Sequence, residues 1–182
     1  MDFVDDATVR AAQFGDRAAQ ARLLRSLQDP WYRMSLALLG DVDRAREATQ
    51  ETGLRFLRQL PAFRGESQLR TWSLGIAINV AREMKRSVRG PMALQEAGRL
   101  DCARRPKRPP PDVAAEMAEQ RDRLRAVLAD LPQRQREALV LRFFEDLSVQ
   151  DTAAAMNCAP GTVKATVHQA LRELKQRLGV LV

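Results

Sequence analysis

The residues best suited to recognising another molecule fall into three groups. Near the carboxy terminus, Thr162, Lys164, Thr166, His168, Gln169 and Arg172 follow Pro160-Gly161 at short steps, and on a helix they share a polar, cationic side. Amide and hydroxyl groups among cations can read base edges, while the cations hold phosphate. The small residues Gly161 and Thr162 open that helix, where backbone amides can approach phosphate. Upstream, Asn79, Arg82, Lys85 and Arg86 fall on or near one polar face that becomes strongly basic at its end. Farther upstream, Glu47, Gln50, Glu51, Leu54 and Arg58 recur at i, i+3, i+4, i+7 and i+11. An exposed Leu among carboxylates and an amide has the make-up of a docking face, although the same spacing fits an ordinary solvated one.

Bond-making chemistry has little to stand on. The chain lacks a Gly-x-Gly-x-x-Gly, a phosphate loop, a Gly-x-Ser-x-Gly and a His-Glu-x-x-His. Cys102 and Cys158 lie far apart and His168 is the single histidine, so neither a disulfide framework nor a four-ligand zinc site can be assembled. The expectation is a protein that is not an enzyme, with no cofactor and no metal. Both thiols are expected reduced, Cys102 as an unremarkable exposed cysteine. The acidic start, Met1-Asp2-Phe3-Val4-Asp5-Asp6, and the lack of a long apolar run predict a cytoplasmic protein with no membrane insertion.

The elements that must position these residues are helical. Over 182 residues, 45% of them hydrophobic, apolar positions recur at steps of three and four and no stretch alternates long enough to require a strand. The fold class is all-α: two small helical domains, residues 1–87 and 113–182, joined by a flexible, basic, Pro-rich linker at 88–112 containing Pro109-Pro110-Pro111. In the first domain a helical stretch from about Ala7 to Leu27, weak at Gly15, is expected to end at Asp29-Pro30, where a second helix starts and runs to Gly40. A third helix starts at Asp41-Val42-Asp43, with Ala45, Ala48, Thr52 and Phe56 facing inward, and stops at Pro61. A loop through Phe63-Arg64-Gly65-Glu66 leads into a fourth helix, about Ser67 to Ser87, packed through Leu69, Trp72, Ile76 and Val80. Trp72 reads as core more than as a base-stacking platform.

In the second domain the helical pattern runs from Val113 to Asp130 and, after Pro132, to about Phe144. Ser148 and Asp151 then form a capping box, and after Asn157-Cys158-Ala159 a last helix carries the stripe Val163, Val167, Ala170, Leu171, Leu174 and Leu178. A short helix, a tight turn and a longer helix with a cationic face make a helix-turn-helix. An ordinary helical hairpin with a solvated outer face fits the same pattern.

Gly40-Asp41, Gln50-Glu51-Thr52, Phe63-Arg64-Gly65-Glu66-Ser67, Thr71-Trp72, Ile76-Ala77 with Asn79, Leu131-Pro132, Leu147-Ser148 and Gly161-Thr162-Val163-Lys164, in that order, resemble the hallmarks of bacterial extracytoplasmic-function sigma factors. The resemblance covers nearly the whole chain. It implies sigma region two before the linker and region four after it, in a promoter-specificity subunit of RNA polymerase. Its implied partners are core RNA polymerase, promoter DNA and an anti-sigma factor. It puts Glu47, Gln50, Glu51 and Leu54 on the core enzyme. Phe63, Arg64 and Ser67, with Asn79, surround a flipped base of the −10 element, and Arg82, Lys85 and Arg86 lie on nearby backbone. Thr162, Lys164, Thr166, His168, Gln169 and Arg172 face the −35 element.

The chain departs from the family at Gly53, where a large apolar residue is usual, and at Ala48, Thr49 and Thr152, so looser packing is expected. At Ala165, Thr166 and Gln169 fewer guanine contacts are expected than in relatives that carry Ser and Arg. A free-standing helix-turn-helix regulator and a protein that sequesters another protein are the rival readings. The formal charge of +7 is concentrated between Arg82 and Arg108, where nine Lys and Arg stand against Glu83, Glu96 and Asp101.

Overall fold

The structure is a computed structural model that describes residues 5–87 and 127–178. The expected linker at 88–112 and the pattern from Val113 lie outside the described residues, except that 127–130 are helical. The described residues are otherwise helices and turns: α1 (Asp6–Gln13), α2 (Arg17–Leu39), α3 (Val42–Gln59), a 3-10 turn (Leu60–Ala62), α4 (Leu69–Ser87), α5 (Gln133–Leu139), a π-helical turn (Val140–Phe144), α6 (Val149–Met156) and α7 (Pro160–Leu178).

Short acidic side chains start the helices because their oxygens take up first-turn amides that have no helical partner. Asp5, Asp16 and Asp41 accept from the amides of Thr8, Ala19 and Arg44. Gly15 at φ +92° separates α1 from α2, and Gly40 at φ +75° closes α2 with its amide on the Leu36 carbonyl.

The expected break at Asp29-Pro30 does not occur, and α2 continues through a buried Pro30. Proline removes one helical hydrogen bond and costs about 3 kcal/mol in a helix interior. Leu23, Leu27, Trp31, Met34 and Leu38 form one uninterrupted buried stripe across it. Burying large side chains contributes roughly 1.5–3 kcal/mol each, which outweighs the local cost. Trp31 lies against Phe56, with ring centroids 5.3 Å apart, and its indole N–H donates to Ser73 Oγ at 3.0 Å. Ala45, Ala48, Thr52 and Phe56 all point inward, and the buried Thr52 hydroxyl donates to the Ala48 carbonyl.

The two helical units pack face to face. One apolar core runs from Leu23, Trp31, Phe56 and Leu74 on one side to Val140, Leu141, Leu147 and Met156 on the other. The helices cross where α4 lacks a side chain: a Cβ placed on Gly75 would sit 3.3 Å from the Ala155 carbonyl oxygen. A smaller cluster, Leu128, Leu131, Leu139 and Ala170, seats α7 on α5. The stripe on α7 is narrower than expected, because Val163 and Ala170 are fully buried while Leu171 is 45% exposed.

Gly53 sits in ordinary right-handed helix with room beside it. A Cβ there would meet Leu24 at 3.6 Å and Trp31 at 3.8 Å, normal contact distances. Gly53→Ala should therefore raise unfolding stability by about 0.5–1 kcal/mol in urea denaturation. A lower midpoint would show that the groove against α2 does not accept the methyl group.

Candidate functional site

The face of α3 away from the core carries Glu47 and Gln50, both exposed, and Leu54, 52% exposed. Glu51 is half-buried and held: its carboxylate accepts from Arg55 at 2.6 Å, and Arg55 also reaches Glu83 on α4 at 2.7 Å. The hydrogen bonds to Glu83 and Glu51 raise the Arg55 guanidinium above its ordinary value, and the bond from Arg55 lowers Glu83. The result is a rigid polar patch around an uncovered leucine, which is the make-up of a protein-docking surface.

Between α3 and α4 the loop is built on aromatics. Phe63 packs at a tilt against Trp72 with centroids 4.9 Å apart, and Trp72 in turn meets Phe56 at 5.6 Å. The Gln13 amide donates to the Phe63 and Leu60 carbonyls, and Gly65 takes φ +74°. Phe63 and Ser67 are half-buried and Arg64 is exposed, so these residues form the rim of the loop. Trp72 is half-buried within this packing, as its spacing predicts.

On α4, Asn79 and Arg86 are exposed, and Lys85 is half-buried. Arg82 is directed elsewhere. Its Nε and Nη2 donate to the two carboxylate oxygens of Glu137 on α5 at 2.9 and 2.6 Å, and its Nη1 donates to Asn79 Oδ1 at 3.2 Å. The hydrogen bond to Glu137 raises the Arg82 guanidinium above its ordinary value.

Arg82 is one of several side chains that join the two units. Glu145, fully buried, accepts from Arg70 at 2.6 Å and from Arg33 at 3.3 Å, while Arg70 also donates to the Glu145 carbonyl. Thr71 donates to Asp151 at 3.2 Å. Arg136 donates to carbonyls of Leu38, Leu131 and Ala129, and burial lowers it from its ordinary value.

Nothing in the spacing of the chain points to Glu137, Glu145, Arg33, Arg70 or Gly75, because their partners are far away in sequence, 112 residues for Arg33 and Glu145. The π turn adds to the difficulty. The Glu145 amide bonds the Val140 carbonyl five residues back, which advances the helix phase by one position. Glu145 turns inward, whereas Phe143 and Phe144 are 58% and 51% exposed.

On α7 the six polar positions stand where the periodicity places them. Thr162, Lys164, His168, Gln169 and Arg172 are exposed and Thr166 is half-buried. Ser148 caps α6 by accepting from the Asp151 amide, and its own hydroxyl donates to Asp151 Oδ2. At the start of α7 the amides of Thr162 and Val163 donate to the Ala159 carbonyl. Attraction for phosphate there rests on the Lys164 side chain more than on these amides. Among the described residues no cluster of His, Cys, Asp and Glu could hold a metal ion, and no helix is long and apolar enough to cross a membrane.

The chain matches Sigma-70 region 2 over residues 23–90 and Sigma-70, region 4 over residues 121–174. It is 35% identical over 164 residues to the ECF RNA polymerase sigma factor SigC of Mycobacterium tuberculosis, spanning 88% of this chain and 83% of the relative. It is 36% identical over 146 residues to the ECF RNA polymerase sigma factor EcfG of Rhodopseudomonas palustris, spanning 80% and 77%. In fold it is similar to CnrH in complex with the cytosolic domain of CnrY, with TM-score 0.72, 19% identity and 97% of each chain covered. A second similar fold is the sigma factor RpoE in complex with the anti-sigma factor NepR from Bartonella quintana, with TM-score 0.67, 22% identity and 88% and 96% covered.

The geometry of Glu145 predicts how firmly the units are joined. Breaking a lone buried ion pair costs about 3–5 kcal/mol, and Arg33 would partly compensate, so Arg70→Ala should lower unfolding stability by about 2–3 kcal/mol in urea. A loss under about 1 kcal/mol would mean that water reaches Glu145 in solution and the face between the units is not closed.

Proposed function

Because the chain belongs to the ECF RNA polymerase sigma factors, we propose that its exposed surfaces divide that family's work among themselves. The chain is a sigma factor, which binds core RNA polymerase and directs promoter recognition and initiation, and this reading prevails over a free-standing regulator. In the proposal, residues 1–87 form region two, 88–112 the linker and 113–182 region four.

The α3 face is the docking surface for core enzyme. Leu54 is the apolar anchor, Glu47 and Gln50 the polar surround, and Glu51 is held in position by Arg55. Phe63, Arg64, Ser67 and Asn79 line the place of an unstacked −10 base, whose backbone Arg82, Lys85 and Arg86 follow. Holding a base out of the stack both reads it and traps the melted strand. Thr162, Lys164, Thr166, His168, Gln169 and Arg172 read −35 duplex in the major groove. No step in this work makes or breaks a covalent bond, so this reading assigns the chain no catalysis.

An anti-sigma protein is a further partner in this reading. A solved structure of similar fold is a sigma factor in complex with an anti-sigma factor, NepR. The observation that carries the division of labour is the presence, on one chain, of an uncovered leucine patch on α3 and an uncovered cationic face on α7.

The test is run-off transcription with purified core enzyme on promoters selected by the holoenzyme. Leu54→Arg should weaken core binding about tenfold or more, as expected for an interface anchor. Gln169→Ala should lower promoter use about five- to tenfold with core binding unchanged, the low end for losing one base contact. Equal effects of the two substitutions on core binding would contradict the division.

A further inference from the structure

The guanidinium expected to hold the −10 strand is already occupied. Glu137 meets Arg82 in the two-pronged geometry that a phosphate would adopt, one oxygen on Nε and the other on Nη2. Its carboxylate is 1% exposed and takes a further bond from Gln133. A strand phosphate therefore cannot take both prongs of Arg82 while Glu137 stays in place. Asn79, expected to hold the base, is drawn in as well, because its side-chain oxygen accepts from Arg82.

The pair is not sealed off. Beside it lies an open cleft of about 290 Å³ lined by Arg82, Arg86, Gln133, Arg134 and Glu137. Arg86 and Arg134, both exposed, stand at its edge. Their charge draws an incoming phosphate to the cleft, next to the one carboxylate it must displace.

We propose that Glu137 acts as an internal substitute for DNA phosphate, holding the strand-binding face of α4 against α5 until a nucleic-acid strand replaces it on Arg82. This rests on the reading of Arg82 as a strand contact. The contact is autoinhibitory by competition: carboxylate and phosphate are alternative ligands of one guanidinium, so each weakens the other's binding equally. It also links the two units, since releasing Arg82 takes from the buried Glu137 carboxylate its bidentate partner and leaves it the Gln133 amide and the nearby charge of Arg136, a state that favours separation of the faces.

The full chain without core enzyme is titrated with a fluorescein-labelled 20-nucleotide oligo-dT at low salt, a probe that reports backbone contacts independently of sequence. Glu137→Gln should bind about five- to tenfold more tightly than wild type, the lower range of ordinary coupling. Asp146→Asn, which removes an exposed charge on the same unit, should change binding less than about twofold, the scale of one screened surface charge. Adding Arg82→Ala to Glu137→Gln should abolish the gain.

A second route avoids Glu137 altogether. Gly75→Leu places a side chain against the Ala155 backbone, parts the faces and should raise oligo-dT binding with both charged residues intact. Far-UV circular dichroism of each variant checks that helix content is kept, and if Glu137→Gln loses it, Gly75→Leu decides the matter. Two results overturn the proposal and differ from one another. If Arg82→Ala leaves open-complex formation by the holoenzyme unchanged, the reading of Arg82 itself fails. If Arg82→Ala impairs opening but neither Glu137→Gln nor Gly75→Leu binds oligo-dT more tightly than wild type, the strand contact stands and the competition fails.

Discussion

A carboxylate cut off from water must be matched by cations and hydrogen bonds, or the fold that buries it is lost. Glu137 and Glu145, 1% and 0% exposed at their side chains, impose that condition here, and their arginine partners, Arg82, Arg70 and Arg33, all come from the other helical unit. Neither unit satisfies both acids alone. The rest of the interface follows from this pairing. Gly75 lets α4 approach the Ala155 backbone, the π turn swings Glu145 inward, and Arg136 ties the Leu38 carbonyl to the other unit. Ion pairs of this kind are modest sources of net stability, but they are demanding about geometry, so they specify which faces meet.

Much of the fold is legible in the chain because helix periodicity and caps are local properties. Asp41 beginning α3, Ser148 beginning α6 and the inward set Ala45, Ala48, Thr52 and Phe56 follow from spacing and side-chain chemistry alone. Pro30 shows the limit. Its local cost is real, but the stripe from Leu23 to Leu38 that overrides it becomes decisive only once α3 and α4 are in place. Leu171 shows the same limit in the other direction, an apolar position at helical spacing for which the fold supplies no full cover.

The candidate surfaces divide along the same line. Residues defined by a single helix, on α3 and α7, stand where their spacing puts them. Arg82 was legible as a cation on a basic face, but not as the partner of an acid 55 residues away. The π turn hid Glu145 still more thoroughly, because it breaks the 3.6-residue phase from which inward and outward positions are read. Long-range charge pairing leaves no local pattern in a single sequence, and here it decides which of the surfaces is free.

Promoter geometry makes the joined faces consequential. Positions −35 and −10 are about 25 base pairs apart, roughly 85 Å at about 3.4 Å per pair. The whole of α4 spans about 28 Å, and its middle touches α6 directly beside α7. On the proposed reading, in which α4 takes the −10 strand and α7 the −35 duplex, one chain engaging both elements must separate the two faces. The most direct test is the distance between labels on Gln68 and Lys175, measured by single-molecule energy transfer in chains whose native cysteines are replaced. The distance should be short in the free chain and long in the promoter-bound holoenzyme. One and the same distance in both states would contradict it.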